Sequence, residues 1–269
     1  MFNLKNDKII YVQKEGVEYI QFKKLLEFGV KHAYTLKTEG IDFSFSQEKR
    51  MPSYEKLCRA LEIDINTIVE PIQTHTDIVK CIDKVEKSEN LADVDGLITD
   101  KPGVALTTKN ADCILFIFYD PVKKVIANVH SGWRGTFQKI AEKAVQKMIN
   151  YYGSKAEDIF CFISPSIRKD HFEVEEDVKD LCQNIFEFTN RTEEFIQVGE
   201  VVSGVQKYYI DTVLINKILL EDLGLKEDNI IDCELCSVCN GDKIESVRVD
   251  GDKAGRATFI VNLERKKNV

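Results

Sequence analysis

The chain has four histidines for imidazole chemistry: His32, His75, His130 and His171. A lone histidine is more often structural than a ligand, so the setting of each one decides. His75 follows a strand-like run in PIQTHTDIV, and His130 ends the run KVIANVH and opens HSGWRGT. In that second block, Gly132 and Gly135 permit a tight turn with close backbone approach. Arg134 adds a fixed planar cation able to hold an anion through two parallel hydrogen bonds. Thr136 is expected to cap the helix that follows, whose free N–H groups would point an anion-binding end to the same corner. Trp133, the only tryptophan, is either core or the wall of a site for a flat ligand, and core is the simpler assignment.

Cys113 opens an otherwise apolar strand in KNADCILFIF. A buried free thiol usually acts as a small hydrophobe. The strand starting here is followed, after the short turn YDPVK, by the strand that ends in His130. Antiparallel pairing across that turn sets Cys113 beside His130. Two kinds of chemistry use such a pair. In one, histidine activates the thiol as a nucleophile. In the other, the two hold a metal, with His75 as third ligand. A His/His/Cys set suits zinc and leaves the fourth position open, as in catalytic rather than structural sites. The same donors can also hold copper. Asp112 and Asp95 are candidates to orient a ligand histidine or to move a proton, with capping of a strand end or turn as the plain alternative for each. CELCSVC (233–239) spaces Cys233, Cys236 and Cys239 like metal or cluster ligands, but without a fourth of matching spacing. Plain thiols are the simpler assignment there, and a redox or extra metal role is the other.

The elements that must position these groups are partly readable. KIIYVQ and VEYIQF are rich in β-branched and aromatic residues and predict two strands joined by a short turn. HAYTL (32–36), CILFIF (113–118), KVIANVH (124–130), IFCFIS and ATFIVNL predict further strands. SYEKLCRALEI (53–63) places Tyr54, Leu57, Cys58 and Leu61 at helical spacing. A helix is expected from about 137 to 151 with Ile140, Ala144, Met148 and Ile149 inward. EEDVKDLCQNIF and DTVLINKILLEDLG predict two more, the second ending at Gly224. Strands and helices alternate irregularly with many hairpin-like turns. That predicts an α/β or α+β fold of layered mixed sheets flanked by helices, as one domain over 1–269, with a disordered tail at 264–269.

The bulk composition excludes several classes. A chain of 269 residues, 43% hydrophobic and 30% charged, buries a sizeable core and is not disordered. A net charge of −8 argues against a general nucleic-acid binder, because an acidic chain gains nothing from counterion release. The first residues, MFNLKNDKII, lack the apolar run of an export signal, and no stretch reaches the roughly 18 apolar residues of a membrane helix. The eight cysteines are therefore expected as reduced thiols in the cytoplasm.

Six segments occur together in a familiar order: QTH (73–75), DVDGLIT (93–99), ADC (111–113), VHSGWRGT (129–136), SPSI (164–167) with FEVEEDV (172–178), and GDKAGR (251–256). On these motifs the chain, from about residue 30 onward, resembles the YfiH-like, "laccase-domain" family. The resemblance implies a compact fold of layered mixed sheets, with zinc at the positions matched by His75, Cys113 and His130. It implies a purine nucleoside phosphorylase acting on adenosine, inosine, guanosine and methylthioadenosine, with adenosine deaminase activity beside the phosphorolysis. His75, Cys113, His130 and Asp112 are then the expected catalytic groups, and Arg134 and Arg256 the expected contacts to substrate or phosphate. Two departures stand out: DFSFS (42–46) replaces an asparagine-containing segment, and Val249 follows Arg248 where the pattern carries a second arginine. The rival readings are a copper polyphenol oxidase, a metal-free Cys113–His130 hydrolase suited to peptidoglycan editing, and a binding module without turnover. The histidine count weighs against the first, since four imidazoles are few for the copper sites of true laccases.

Overall fold

The structure is a computed structural model that describes residues 6–44 and 47–264, without the side chains of 47–49. Apart from Glu264, the tail expected over 264–269 lies outside the described residues, as do the last two residues of DFSFS.

The chain opens with the hairpin of β1 (Ile9–Lys14) and β2 (Val17–Phe22). It turns at Glu15 and Gly16, where φ is positive at both, 53° and 72°, as a two-residue hairpin loop that matches strand twist requires. There follow α1 (Lys23–Glu27), β3 (Lys31–Thr35), α2 (Gln47–Leu61), β4 (Ile68–Val69), β5 (Val79–Cys81), β6 (Gly96–Thr99) and β7 (Ala105–Asn110). The central hairpin is β8 (Ile114–Asp120) and β9 (Val125–Ser131), and it leads into α3 (Trp133–Phe137) and α4 (Ile140–Tyr152). Next come β10 (Phe160–Ile163), β11 (Glu173–Val174), α5 (Glu176–Phe186), α6 (Thr192–Phe195), β12 (Ile196–Val202) and β13 (Val205–Ile210). The chain ends with α7 (Thr212–Asp222), β14 (Ile230–Asp232), α8 (Val247–Asp250) and β15 (Ala257–Asn262).

Two six-stranded sheets carry the fold, in the orders β1-β2-β3-β15-β7-β4 and β14-β10-β8-β9-β6-β5. Both are mixed: β4 runs parallel to β7, β14 to β10 and β5 to β6, and the other pairs are antiparallel. The two-residue periodicity of each strand sorts its side chains into layers. Leu115, Ile117 and Tyr119 of β8 meet Leu106, Phe259 and Val261 of the first sheet in one core between the sheets. Ile114, Phe116 and Phe118 point the other way, to Ile140, Ala144 and Met148 of α4 and to Val213 and Leu220 of α7. On the outer face of the first sheet, Tyr19, Ala33 and Ile260 pack against Tyr54, Leu57 and Cys58 of α2. The result is helix, sheet, sheet, helix. A third sheet, β11-β13-β12, packs with α5, α6 and α7 around Phe186, Phe195 and Ile210.

The strands and helices expected from sequence are found in the order expected, with one correction, while β4 to β7 and β11 to β14 are not among them. The helix after His130 is not one element capped by Thr136. It is two, α3 and α4, broken at Gln138 and Lys139, where Lys139 sits at φ 60°. Thr136 lies inside α3, buried, with its hydroxyl bonded to Ser131 Oγ at 2.9 Å and accepting from Asn216 Nδ2 at 3.1 Å. No helix N-terminus therefore begins at Thr136.

Candidate metal centre

The β8–β9 register opposes Ile114 to Ser131 and Leu115 to His130. Cys113, one residue before β8, shares the face of Leu115 and so lies diagonally next to His130. Both side chains emerge at the end of the layer between the two sheets. His75 arrives from the loop after β4, in a left-handed conformation at φ 65° that a non-glycine residue adopts only under constraint. Its Nε2 lies 3.8 Å from Cys113 Sγ, and its ring stands edge-on to that of His130 with centroids 4.9 Å apart. The ligand atoms of His75, Cys113 and His130 all lie within 4.8 Å of one another.

Asp95 is the constraint that builds this arrangement. It is fully buried just before β6 and accepts from the backbone N–H of Thr74 (3.1 Å), His75 (3.1 Å) and Thr76 (2.8 Å) and from Thr76 Oγ1 (2.9 Å). His130 Nδ1–H donates to the same carboxylate at 2.7 Å, and Asp95 O accepts from the His130 N–H at 2.7 Å. One carboxylate thus fixes the loop that carries His75 and the ring plane of His130. A carboxylate only accepts, so it holds the proton on Nδ1 and leaves Nε2 of neutral His130 for a ligand. Burial raises the Asp95 carboxyl, but the bond from His130, its charge and the loop amides outweigh that and keep it below the usual range.

Charge couples the three donors. Burial pushes the Cys113 thiol up, yet hydrogen bonding and charge from His130, then from His75, bring it down to about 6. Burial pushes His130 down, but Asp95 and the Cys113 thiol lift it to about 9. A thiol lowered in this way is mostly thiolate near neutral pH, the form that binds metal. Gly132 makes the approach possible: a Cβ there would stand 2.7 Å from His75 Cδ2 and 3.1 Å from Cys113 Sγ. Two nitrogens and a thiolate suit a tetrahedral zinc ion, on which N and S ligands stand roughly 3.5–3.8 Å apart, and His75 Nε2 and Cys113 Sγ, at 3.8 Å, already stand so.

The donors line a cavity of about 550 Å³. Trp133, Ile167, Phe172 and Val247 give it apolar walls, while Lys109, Arg248 and Arg256 bring positive charge to it. Trp133 is thus a wall as well as a partner of Phe137, whose ring centroid is 5.4 Å away. Arg256 Nη1 is anchored on the carbonyls of Ala254 (3.1 Å) and Gly255 (2.8 Å), and Arg248 Nη1 on that of His171 (2.9 Å). Lys109 is buried and ion-paired to Glu70 at 2.7 Å; burial lowers its pKa and Glu70 opposes that shift.

Two expected site residues are placed differently. Arg134 is exposed and stacks its guanidinium over Trp133, 4.2 Å from the ring centre, and it is not among the residues lining the cavity. Asp112 does line the cavity, at φ 80°, but its carboxylate accepts from Ser237 Oγ (2.6 Å), Ser246 Oγ (2.7 Å) and the Arg248 N–H (2.8 Å). Lys109 and Gln73 were not legible. They face each other across a reciprocal pair, Gln73 Nε2 to Lys109 O and Lys109 N to Gln73 Oε1, both 2.8 Å. The signal that could have found Gln73 was its place two residues before His75.

A family model described as multi-copper polyphenol oxidoreductase laccase matches residues 46–264. A purine nucleoside phosphorylase of Bacteroides thetaiotaomicron is 31% identical over 197 residues, 70% of this chain and 70% of that protein. An adenosine deaminase from an unknown prokaryotic organism is 30% identical over 207 residues, 74% of this chain and 76% of that protein. Among solved structures, the hypothetical protein YfiH of Bacillus licheniformis superposes with a TM-score of 0.84 at 23% identity, over 96% of this chain and 100% of that one. YlmD from Geobacillus stearothermophilus does so with a TM-score of 0.81 at 21% identity and the same coverage. The last two likenesses speak to the fold alone.

Proposed function

The chain belongs to the multi-copper polyphenol oxidoreductase laccase family, and on that premise we propose that it is a zinc-dependent purine nucleoside phosphorylase with adenosine deaminase activity. Adenosine, inosine, guanosine and methylthioadenosine are its substrates in this reading, with phosphate as co-substrate. The observation that carries it is the grouping of His75, Cys113 and His130 in a cavity whose walls are apolar and whose rim holds Arg248 and Arg256.

His75, Cys113 and His130 would hold the metal, and zinc bound there would supply Lewis-acid chemistry. The remaining work falls to the chain itself. Trp133 and Phe172 offer flat apolar surface to the purine. Arg248 and Arg256 attract and orient phosphate, a dianion that needs cations and N–H donors. In phosphorolysis a phosphate oxygen forms a bond to the sugar carbon while the bond from that carbon to the base breaks. Asp112 fixes the Arg248 backbone through its N–H, so its contribution is to position that arginine. Asp95 keeps the proton on His130 Nδ1. The work is done in the cytoplasm, where the eight free thiols stay reduced. Among the described residues no helix is long and apolar enough to cross a membrane.

The family's descriptive name suggests copper oxidation of phenols instead. Imidazole supply weighs against it. His32 is buried, with Nε2 accepting from the Phe22 N–H at 2.7 Å and Nδ1–H donating to Val30 O at 2.9 Å. His171 belongs to another cluster, with Cys236 and Cys239. That leaves His75 and His130 at the site, too few for an imidazole-rich copper cluster. A bare Cys113–His130 hydrolase leaves His75 without a task.

Inosine incubated with the purified protein, with and without phosphate, separates these readings. Phosphate-dependent release of hypoxanthine with ribose 1-phosphate, lost on chelation, is the expected result; adenosine should in addition release ammonia. Copper-dependent oxidation of a phenol with no base release supports the oxidase. Activity that survives chelation and is lost only on thiol alkylation supports the hydrolase.

A further inference from the structure

A second group of soft donors stands apart from the centre described above. His171 ends a one-turn segment (Lys169–His171) after β10, and Cys236 and Cys239 lie in the loop after β14. His171 Nε2 is 3.1 Å from Cys239 Sγ, and the three ligand atoms all lie within 4.8 Å of one another. The loop is built to present the two thiols together. Cys236 bridges to Ser166, the Ser237 N–H donates to Ser166 O at 2.9 Å, and the N–H and Nδ2 of Asn240 both donate back to Cys236 O, at 3.2 and 2.8 Å. The chain therefore turns over Cys236 and returns Cys239 to the same side, as a C-x-x-C pair does around a metal.

We propose that His171, Cys236 and Cys239 form a second metal site, for zinc, which ties segment 169–172 to loop 236–240. Two thiolates and an imidazole suit zinc, and the tetrahedral spacing of roughly 3.5–3.8 Å between N and S ligands needs only small side-chain movements here. Cys236 is buried and Cys239 exposed, so the site lies at the protein surface. Cys233, the remaining cysteine of the CELCSVC run, is not part of the site. It is fully buried and lies 4.0 Å from Arg168 Nη2, and burial pushes its thiol up to about 12. The second site has a structural consequence for the first. His171 O holds Arg248 Nη1, and Phe172 lines the main cavity, so a metal at His171 pins one wall of that cavity.

The test is a zinc titration of the reduced, chelator-stripped full chain against a chromophoric zinc indicator, in wild type, Cys239→Ser, Cys113→Ala and the double variant. Cys239 is exposed, so its replacement leaves the core alone. The expected capacities are about two zinc ions per chain in wild type, about one in each single variant and about none in the double, with three protein ligands at each site. Equal capacity in Cys239→Ser and wild type overturns the proposal. Loss of all zinc in Cys113→Ala alone also overturns it while leaving the first site standing. Loss confined to Cys239→Ser supports the second site and removes the first.

Discussion

Gly132 shows how finely the centre is set at the scale of single residues. Its missing Cβ leaves the space that His75 Cδ2 and Cys113 Sγ occupy, and the Cβ of Gly132→Ala would come within 2.7 Å of the ring. His75 is held at φ 65° by Asp95 and cannot easily retreat. Gly132→Ala should therefore weaken zinc binding at this centre by roughly 10–100-fold, a loss typical of disturbed ligand orientation, read by competition with an indicator. Unchanged affinity would mean that the loop carrying His75 yields freely. His32 makes a second prediction, on stability. Burial depresses its pKa from 6.5 to about 4, so between those values the unfolded chain binds a proton that the folded chain does not. Its stabilising contribution is complete above about pH 6.5 and is lost as pH falls towards 4, roughly 3 kcal/mol in all. His32→Gln keeps a donor and an acceptor but does not titrate. Its destabilisation relative to wild type, from urea unfolding, should shrink as pH drops from 7 to 4; a constant difference would contradict the assignment. The nearness of Cys113 to His130 was legible because two short strands and one turn bring them together. Asp95 was legible only as a candidate, since its five partners converge through folding. Arg134 misled, because nothing in HSGWRGT distinguishes a cation facing the cavity from one stacked on Trp133.

Elements place these residues, and one side chain locks the two principal sheets together. Asn128 of β9 is buried, donates to Leu106 O of β7 (3.1 Å) and to Phe259 O of β15 (2.6 Å), and accepts from Thr108 Oγ1 (2.5 Å). It lies two residues before His130 on the same face, so the cross-link also sets the depth of the His130 side chain. Asn128→Leu strands these buried polar groups and should cost roughly 2–4 kcal/mol in urea unfolding. A cost below about 0.5 kcal/mol, the range of ordinary surface changes, would show that the sheets hold without it. β8 and β9 could be read from sequence because they are buried on both faces and largely apolar, being sandwiched between the other sheet and the helices. β7, ALTTKN, could not: its threonines, lysine and asparagine are all buried, but they look like loop composition. β12 escaped for the opposite reason, since its mostly exposed residues show no buried face to set a period. The break between α3 and α4 was hidden because Gln138 and Lys139 are ordinary helix formers, and Lys139 turns left-handed only in this setting.

For the whole molecule, the layering depends on a connection no local pattern records. β15, at the end of the chain, inserts between β3 and β7 and closes the first sheet. Helices and a mixed-sheet fold followed from the mix of strand and helix patterns, whereas membership of each sheet rests on pairings between residues far apart in sequence, such as Phe259 with Tyr34 and with Thr108. The charge shows the same contrast: a chain of net charge −8 brings Arg248 and Arg256 to one cavity, which favours an anion there and not on the surface at large. In the proposed function, His75, Cys113 and His130 hold the zinc that phosphorolysis requires. Its most direct test is elemental analysis of the purified wild type and Cys113→Ala, each followed by the inosine and phosphate assay. Cys113→Ala should lose about one zinc ion per chain, as a site with three protein ligands would on losing its thiolate, and phosphate-dependent base release should disappear with it. Full zinc content in the variant, or base release that persists after that zinc is gone, would contradict it.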